Sequence, residues 1–413
     1  MPKFFNGFII SVLLVIFYRI NMVLFAFDGF SISKLLITSL LWLSAIISIY
    51  YFIRGYKKIK LFIPKYTYRI ILLIIGVNLI AIVKSLLFDD RAITTLFGNI
   101  YTSLALFTPF FIIFSFDKTN LSRLYKYFIF SLKAGTVFFI IFFVDNRFIN
   151  IKQLMLLVDL FLPVIFLITT IIILPKSSKS LIFISVLMLF YISFVMSSRT
   201  MMIREVLLLV LVLLLYSRKY FKTKMGLRIF FLSLSIPIYL LVNSISTGES
   251  SFEQNLSSIS NEEFNSDTRT FLYIEVFEDL LTNDALIFGK GANGTYYSNF
   301  FFKTGNDADN RLTVEVGMLS VLLKTGVVGV ILYFLLVLNA IYHSLFKSRN
   351  LFVAGIGLML SVHFILLFVG NAMSLSSYNI YIWFFIGICL SKEIRNMSNP
   401  EIKALLLSKK FKK

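Results

Sequence analysis

Long apolar runs alternate with short polar and basic stretches along most of the chain. A helix that crosses the hydrocarbon core of a bilayer needs about 20 apolar residues. On that rule, the pattern predicts an all-α polytopic membrane protein with about twelve transmembrane helices. The predicted spans lie near residues 8–27, 35–53, 70–88, 100–116, 128–144, 154–174, 181–197, 203–217, 229–245, 326–345, 351–369 and 379–390.

One connection between the predicted spans, residues 246–312, is much longer than the others. It holds 11 of the 21 acidic residues of the chain, and loops of this length are uncommon unless they have a function. The pattern therefore divides the chain into spans one to nine, a large loop with re-entrant or surface helices, spans ten to twelve, and a basic tail. These parts are residues 1–245, 246–325, 326–390 and 391–413.

Within the large loop, the segment SDTRTFLYIEVFEDLLTND has the periodicity of an amphipathic helix. Its apolar residues Phe271, Ile274, Phe277 and Leu281 recur at the spacing of one helical face. Its acidic residues occupy another face. An amphipathic helix between two spans most simply lies on the outer surface of the membrane.

Composition and charge agree with a membrane protein and fix its predicted orientation. With 58% hydrophobic residues and a mean hydropathy of +0.87, the chain cannot be an ordinary soluble domain. Its net charge of +19 is typical of nucleic-acid binding, but most of the Lys and Arg residues lie in short loops on one side of the predicted spans. The positive-inside rule then places both termini in the cytoplasm and the large loop outside. We expect no nucleic-acid partner.

Metal and disulfide chemistry have little support in the sequence. The chain has one cysteine, Cys389, and two histidines, so no disulfide and no thiol metal site is expected. The triplet Asp307-Ala308-Asp309 has the form with which many glycosyltransferases hold a divalent cation. Such triplets also occur by chance in acidic loops, and we expect neither a metal nor a cofactor.

Four arginines collect on the predicted outer side, where the orientation rule disfavours them. Arg199 and Arg204 lie at a turn in SSRTMMIRE, Arg269 opens the predicted surface helix, and Arg311 precedes the tenth span. A guanidinium group matches two phosphate oxygens at once and always carries its charge. The group predicts a site for a lipid pyrophosphate. The alternative is that each arginine reaches a headgroup phosphate or pairs with a nearby acid.

The stretch IFGKGANG contains the spacing G-x-G-x-x-G, formed by Gly289, Gly291 and Gly294. A dinucleotide site would need a following helix in a βαβ unit, and the sequence TYYSNFFF follows instead. Two interpretations stay open. The stretch is either a turn after the surface helix or a set of backbone amides that face an anionic headgroup.

Two charged residues lie where the tenth span begins, in EVGMLSVLLKTGVVG. A charge at the bilayer centre costs about 2.5–3.5 kcal/mol on insertion scales, so we expect Glu315 and Lys324 to face a watered cleft between helices. On one continuous helix they would lie on opposite faces. They can share a face only if the segment is broken, and Gly317 offers a place for a break.

Four further ionisable residues fall within predicted spans: Arg19, Lys84, Asp159 and His363. Such residues are candidates for a functional site because lipid does not tolerate them easily. Arg19 and Lys84 lie near the outer ends, so they either join the same cleft or reach the membrane surface. For His363 we expect a hydrogen bond between helices.

The segments from residue 197 to residue 345 resemble the Wzy-type O-antigen (repeat-unit) polymerases and the related ligases. In the ligases, His-Asn is followed by nine residues and then Gly-x-x-Gly. Here Glu315-Val316 is followed by nine residues and then Gly326–Gly329. The order of SSRT, a large outer loop, an arginine-led helix and a G-x-G turn is also similar. Glutamate in the histidine position favours the polymerase branch.

This resemblance implies a helical membrane glycosyltransferase of the GT-C type that uses no nucleotide sugar. It would polymerise repeat units of a surface polysaccharide at the outer (periplasmic) side of the bacterial inner membrane, in lipopolysaccharide biosynthesis. Its donor and acceptor would be oligosaccharides linked to polyprenyl (undecaprenyl) pyrophosphate, and a chain-length-regulating protein would be a further partner. A ligase, or a flippase for lipid-linked oligosaccharides, is the alternative.

The chemistry of that reaction assigns predicted roles to the charged residues. Cations can stabilise a departing pyrophosphate, and a carboxylate can take the proton of the attacking sugar hydroxyl. Glu315 is the predicted base, and we expect partial burial to raise its pKa. Arg199 and Arg269 are the first candidates for the pyrophosphate clamp, with Arg204, Arg311 and Lys324 as secondary candidates. Displacement would invert the anomeric carbon. A simpler alternative is an ion pair between Glu315 and Arg311.

Overall fold

The computed structural model describes residues 2–25, 34–88, 93, 95, 99, 102–144, 151–196, 199–216, 270–298, 310–370 and 373–407. Apart from one pair of two-residue strands, the described elements are helices. The first part of the chain forms α1 Pro2–Phe25, α2 Lys34–Phe62, α3 Lys65–Phe88, a 3₁₀ helix Leu104–Phe116, α4 Lys118–Val144, α5 Ile151–Phe161, α6 Pro163–Ile168, α7 Lys176–Val195 and α8 Arg199–Tyr216. The second part forms α9 Thr270–Thr282, β1 Tyr296–Tyr297, β2 Asn310–Arg311, α10 Gly317–Phe346, α11 Leu351–Leu366, α12 Ser377–Leu390, α13 Lys392–Asn396 and α14 Asn399–Leu407.

The described helices confirm an all-α protein of membrane character. Among them, five are long and apolar enough to cross a bilayer: Leu36–Phe62, Lys65–Leu87, Lys118–Ile141, Ser178–Val195 and Gly317–Phe346. Several of the remaining predicted spans form shorter apolar helices. The ninth predicted span, 229–245, lies outside the described residues. Twelve spans and the GT-C fold therefore stay predictions.

Proline accounts for irregularity in two of the predicted spans. The span predicted near 154–174 is divided into α5 and α6, and Pro163 is the first residue of α6. Pro109 lies inside the 3₁₀ helix. A proline has no N–H to donate and its ring clashes with the preceding turn, so an interior proline interrupts an α-helix.

Helix α10 lies at the centre of the part of the bundle that carries the candidate site. It packs against α3, α11 and α12, and it is buried along much of its length. Aromatic rings join the neighbouring helices: the ring centroids of Phe166 and Phe385 are 4.9 Å apart, and those of Phe128 and Tyr381 are 5.0 Å apart. These contacts hold α4, α6 and α12 together as a packed core.

Helix α9 confirms the helix predicted in the large loop, but its packed face is shifted from the predicted one. The residues with least exposure are Leu272, Val276 and Leu280, whereas Leu281 is 57% exposed. The hydroxyl of Tyr273 donates a hydrogen bond to Phe368 O at 2.5 Å, and α9 also contacts β1 and α10. Phe271 of the predicted face is also buried and Phe277 packs against the core, so α9 docks on protein through the adjacent stripe together with part of the predicted face.

The tail after α12 folds onto the opposite end of the bundle from α9. Helix α14 buries Ile402 and Leu406 and packs against α4 and α11. At α13, the guanidinium group of Arg395 donates a hydrogen bond to Nδ1 of His343 in α10. The predicted basic tail is thus partly helical, and its described portion is anchored on the bundle.

Candidate active site

A short hairpin brings the first group of candidate residues together. Strands β1 and β2 pair antiparallel, with Tyr296 opposite Arg311. Tyr296 is fully buried. Burial raises the pKa of its hydroxyl to about 12, Arg311 lowers that pKa, and the carboxylates of Glu275 and Glu315 raise it. The four side chains therefore share one electrostatic environment around the Tyr296 hydroxyl.

Glu315 lies on a short segment between β2 and α10, and its side chain is exposed. Protein atoms do not bury Glu315, because the helix begins two residues later, at Gly317, and its partial burial at the membrane edge stays a prediction. The backbone N–H groups of Gly317 and Met318 donate to Gly370 O and Leu367 O, both at 3.0 Å. These bonds satisfy orphan donors at the start of α10 and fix the backbone beside the exposed carboxylate.

Glu275 belongs to this environment, although the sequence placed it on a polar face of α9. It is only 6% exposed. The apolar residues Leu272, Val276 and Leu280 recur every four positions, and Glu275 lies on the stripe that they form. The stripe formed by these three apolar residues is the sequence feature that could have predicted the burial of Glu275.

Helix α10 is broken at Gly326, where φ is 69° and ψ is −171°. The break leaves two carbonyls and two N–H groups without their usual partners inside the helix. A segment that we call the glycine loop, residues 285–294, supplies partners for them. Its hydrogen bonds are Lys290 N to Leu323 O at 2.8 Å, Gly291 N to Lys324 O at 3.1 Å, Val327 N to Leu286 O at 2.9 Å, and Val328 N to Ile287 O at 3.3 Å.

Two glycines make this close approach sterically feasible. A Cβ atom on Gly326 would collide with Ile287 O, and one on Gly289 would lie 2.5 Å from the carbonyl carbon of Lys324. Gly289 also has φ of +68°, a region that glycine adopts without strain. The G-x-G-x-x-G and G-x-x-G motifs are therefore two halves of one contact, and the break lies at Gly326 rather than at Gly317.

The amides of residues 289–294, which include all three glycines of the motif, donate to protein atoms. In addition to the bonds with α10, Ala292 N donates to Ala81 O at 2.9 Å, and Asn293 N donates to Ser85 Oγ at 2.8 Å. Gly289 N and Gly294 N donate to Ala285 O and Gly291 O. The interpretation as free amides for an anionic headgroup is therefore wrong, and the stretch is a turn packed between α3 and α10.

Two lysine side chains tie the glycine loop to neighbouring helices. Lys84 of α3 donates a hydrogen bond from Nζ to Gly289 O at 2.7 Å. Lys290 forms an ion pair with Asp279 of α9 at 2.5 Å. Lys84 thus binds the loop, instead of reaching the membrane surface as one of the two predictions held.

Lys324 is 3% exposed and makes two hydrogen bonds with backbone carbonyls. Its Nζ donates to Gly294 O at 2.6 Å and to Leu312 O at 2.8 Å. It also borders a cavity of about 40 Å³ between α3, the 3₁₀ helix and α10. A cavity of this size has room for a few water molecules, but Glu315 does not line it. The two charges therefore do not share one cleft as predicted.

Arg204 lies in a different buried cluster. Its guanidinium carbon is 5.8 Å from the ring centroid of Tyr378. The Tyr378 hydroxyl is 3.0 Å from Nδ1 of His363, whose Nε2 is 3.1 Å from the Tyr333 hydroxyl. The expected interhelical hydrogen bond of His363 is confirmed. Arg204 thus contacts α12, whereas Arg311 belongs to the hairpin.

The remaining predicted residues are only partly described. Arg199 is the first residue of α8, but its side chain, like Arg269 and the Asp307–Asp309 triplet, lies outside the described residues. Arg19 forms an ion pair with Asp159 at 3.0 Å, which joins α1 to α5. Within the described part of the chain, no group of three or more His, Cys, Asp or Glu residues could hold a metal ion.

Comparison with known families identifies the region that contains these elements. A family model described as O-antigen ligase matches residues 183–334. The match spans most of α7, all of α8 and α9, the glycine loop, the hairpin and the broken part of α10. No curated protein and no solved structure matches the chain.

Proposed function

We propose, on the premise that residues 183–334 form a domain of the O-antigen ligase family, that the chain polymerises repeat units of a surface polysaccharide. The family covers ligases and polymerases, which are membrane enzymes that act on lipid-linked oligosaccharides. In the proposed reaction, a growing glycan passes from polyprenyl pyrophosphate to a sugar hydroxyl of another lipid-linked repeat unit.

One observation carries the proposal: an exposed carboxylate on a segment with a fixed backbone shares the electrostatic environment of Tyr296 with a cation, Arg311. Glu315 can be reached by a large substrate, and Arg311 lies four residues earlier, on β2. A general base must come within hydrogen-bond reach of the proton that it takes. A cation beside it can stabilise the negative charge that develops on the leaving group.

The proposed mechanism is a direct displacement at the anomeric carbon. Glu315 takes the proton as the acceptor hydroxyl forms the new glycosidic bond, and the bond to the pyrophosphate oxygen breaks. Arg311 stabilises the additional negative charge that develops on the departing pyrophosphate oxygen, with Arg199 and Arg269 as further cations of the clamp. Attack from the side opposite the leaving group inverts the anomeric configuration.

The glutamate at position 315 favours polymerisation over ligation. In the ligase pattern a histidine occupies this position, nine residues and one asparagine before the Gly-x-x-Gly motif. A flippase has a different kind of support, because broken membrane helices form substrate sites in transporters. At Gly326, however, the glycine loop already binds the broken ends, which supports an enzyme over a carrier.

The membrane placement follows the charge pattern and the apolar helices. Several helices are apolar enough to cross a bilayer, and the family acts in membranes. We place the protein in the bacterial inner membrane with both termini in the cytoplasm. The hairpin and Glu315 would then face the periplasm, where the lipid-linked repeat units are joined and a chain-length regulator would act.

The test is a reconstituted reaction with a polyprenyl-pyrophosphate-linked repeat unit of established activity. The wild type is compared with Glu315→Gln and with Glu278→Gln, a matched change at an exposed carboxylate of α9. We expect multimers from the wild type and from Glu278→Gln. Because general base catalysis contributes about 10²–10⁴-fold, the Glu315→Gln rate should fall by a factor in that range.

Three results would contradict parts of this proposal. Normal multimer formation by Glu315→Gln would remove Glu315 as the base but keep the polymerase. Transfer of the glycan to a lipid A-core acceptor, without multimers, would establish a ligase. If lipid-linked repeat units cross the bilayer of a proteoliposome without being joined, the protein is a flippase.

A further inference from the structure

We propose that Lys324 is a positioning residue for the reaction at Glu315. It ties together the two ends of the hairpin and thereby holds Arg311 and Glu315 in place. The effect of Lys324 on catalysis rests on the proposed function. Its physical basis, the tether itself, can be tested without any substrate.

The two carbonyls that accept from Lys324 belong to the two ends of the hairpin segment. Gly294 lies two residues before β1, and Leu312 directly follows β2. Distances of 2.6 and 2.8 Å from Nζ are within the range of charge-assisted hydrogen bonds. One ammonium group therefore closes the base of the segment from which Tyr296 and Arg311 project.

The backbone of Lys324 is held as firmly as its side chain. Lys324 O accepts from Gly291 N at 3.1 Å, and the residue lies two positions before the break at Gly326. The glycine loop thus fixes the position from which the side chain reaches the hairpin. Since strand pairing of only two residues is weak on its own, this contact supplies the missing support.

Burial argues for the tether and against a direct phosphate contact. An ammonium group removed from water is tolerated only when it is paired and hydrogen-bonded. Lys324 is 3% exposed, and two of its three N–H donors are used by Gly294 and Leu312. A pyrophosphate would have to displace these carbonyls and open the base of the hairpin.

The tether extends to Glu315 through the backbone. Residues 312–317 run from Leu312 O, held by Lys324, to Gly317 N, held by Gly370 O. Glu315 lies between these fixed points, with an exposed side chain on a restrained backbone. Preorganisation of this kind matters because a misplacement of about 1 Å can lower a rate by about 10²-fold.

The test measures the hairpin and the reaction in the same purified full-length protein. Hydrogen exchange is followed by mass spectrometry at residues 294–298 and 310–313 in the wild type, in Lys324→Met and in Lys179→Met. Lys179 is a matched control, because its Nζ donates to Ile172 O at 3.4 Å, between α6 and α7. Turnover and the KM for the lipid-linked donor are measured in parallel.

We expect Lys324→Met to accelerate exchange in both hairpin segments by about tenfold or more, while Lys179→Met leaves them unchanged. In Lys324→Met, kcat should fall by about 10–100-fold and the KM for the donor should change by less than about threefold. If Lys324→Met does not fold, Lys324→Gln, which keeps an N–H donor, is measured in the same way.

Each deviation has a distinct meaning. Unchanged exchange in the folded variant would overturn the tether, whatever the activity. Faster exchange with normal kcat would overturn the positioning role. A KM for the donor that rises more than about tenfold, with unchanged exchange, would identify Lys324 as a phosphate ligand instead. If the wild type joins no repeat units, the proposed function fails, while the exchange result still decides the tether.

Discussion

Replacement of Gly326 by alanine tests the contact between the broken helix and the glycine loop. The residue has φ of 69° and ψ of −171°, which only glycine adopts without strain, and an added Cβ would collide with Ile287 O. The cost has two parts: about 1–3 kcal/mol of backbone strain, and lost hydrogen bonds as the loop moves away. Each bond contributes about 0.5–1.5 kcal/mol net.

If two of the loop bonds to α10 break, the loss in the free energy of unfolding is about 2–6 kcal/mol. Unfolding by sodium dodecyl sulfate in mixed micelles measures it. Gly76→Ala is the matched control, because a Cβ at Gly76 of α3 meets no atom within 4 Å. It should stabilise the helix by up to about 1 kcal/mol. Equal effects of the two substitutions would refute the reasoning.

Two further predictions use the same unfolding assay. Leu272→Ala should cost about 2–5 kcal/mol because Leu272 is fully buried in α9, whereas Leu281→Ala, at an exposed site, should cost less than about 0.5 kcal/mol; equal costs would mean that the docking face is assigned wrongly. Burial raises the pKa of the Tyr296 hydroxyl from 10.0 to about 12. The protonated hydroxyl therefore contributes fully to the free energy of unfolding below pH 10, and this contribution falls by about 3 kcal/mol as the pH rises through the folded-state pKa. Tyr296→Phe should lose that alkaline dependence, and an unchanged pH profile would contradict it.

The sequence predicts the helices well because their signal is local. Apolar length alone locates the spans of α2, α3, α4 and α10, and the period of the loop segment locates α9. The docking face of α9 is not predictable in the same way. Two adjacent stripes of apolar residues both satisfy helical spacing, and only the contact with α10 and β1 selects the one that contains Val276 and Leu280.

The sequence predicts individual residues of the candidate site, but not how these residues are arranged in space. The spacing of Glu315 from the G-x-x-G motif points to the segment that the structure exposes. The partners of Lys324 are backbone carbonyls, 12 and 30 residues away, and carbonyls have no sequence signature. The glycine loop also binds α10 through backbone atoms. Its sequence pattern is therefore the same as that of a glycine-rich turn that makes no such contact.

The break at Gly326 also constrains how the protein is assembled in a membrane. Until the glycine loop arrives, the carbonyls of Leu323 and Lys324 and the N–H groups of Val327 and Val328 lack the partners that they have in the finished protein. In hydrocarbon each such group costs several kcal/mol. Helix α10 can therefore be completed only together with the loop and α3. The last stage of biogenesis at this end of the bundle is one cooperative event rather than the insertion of independent helices.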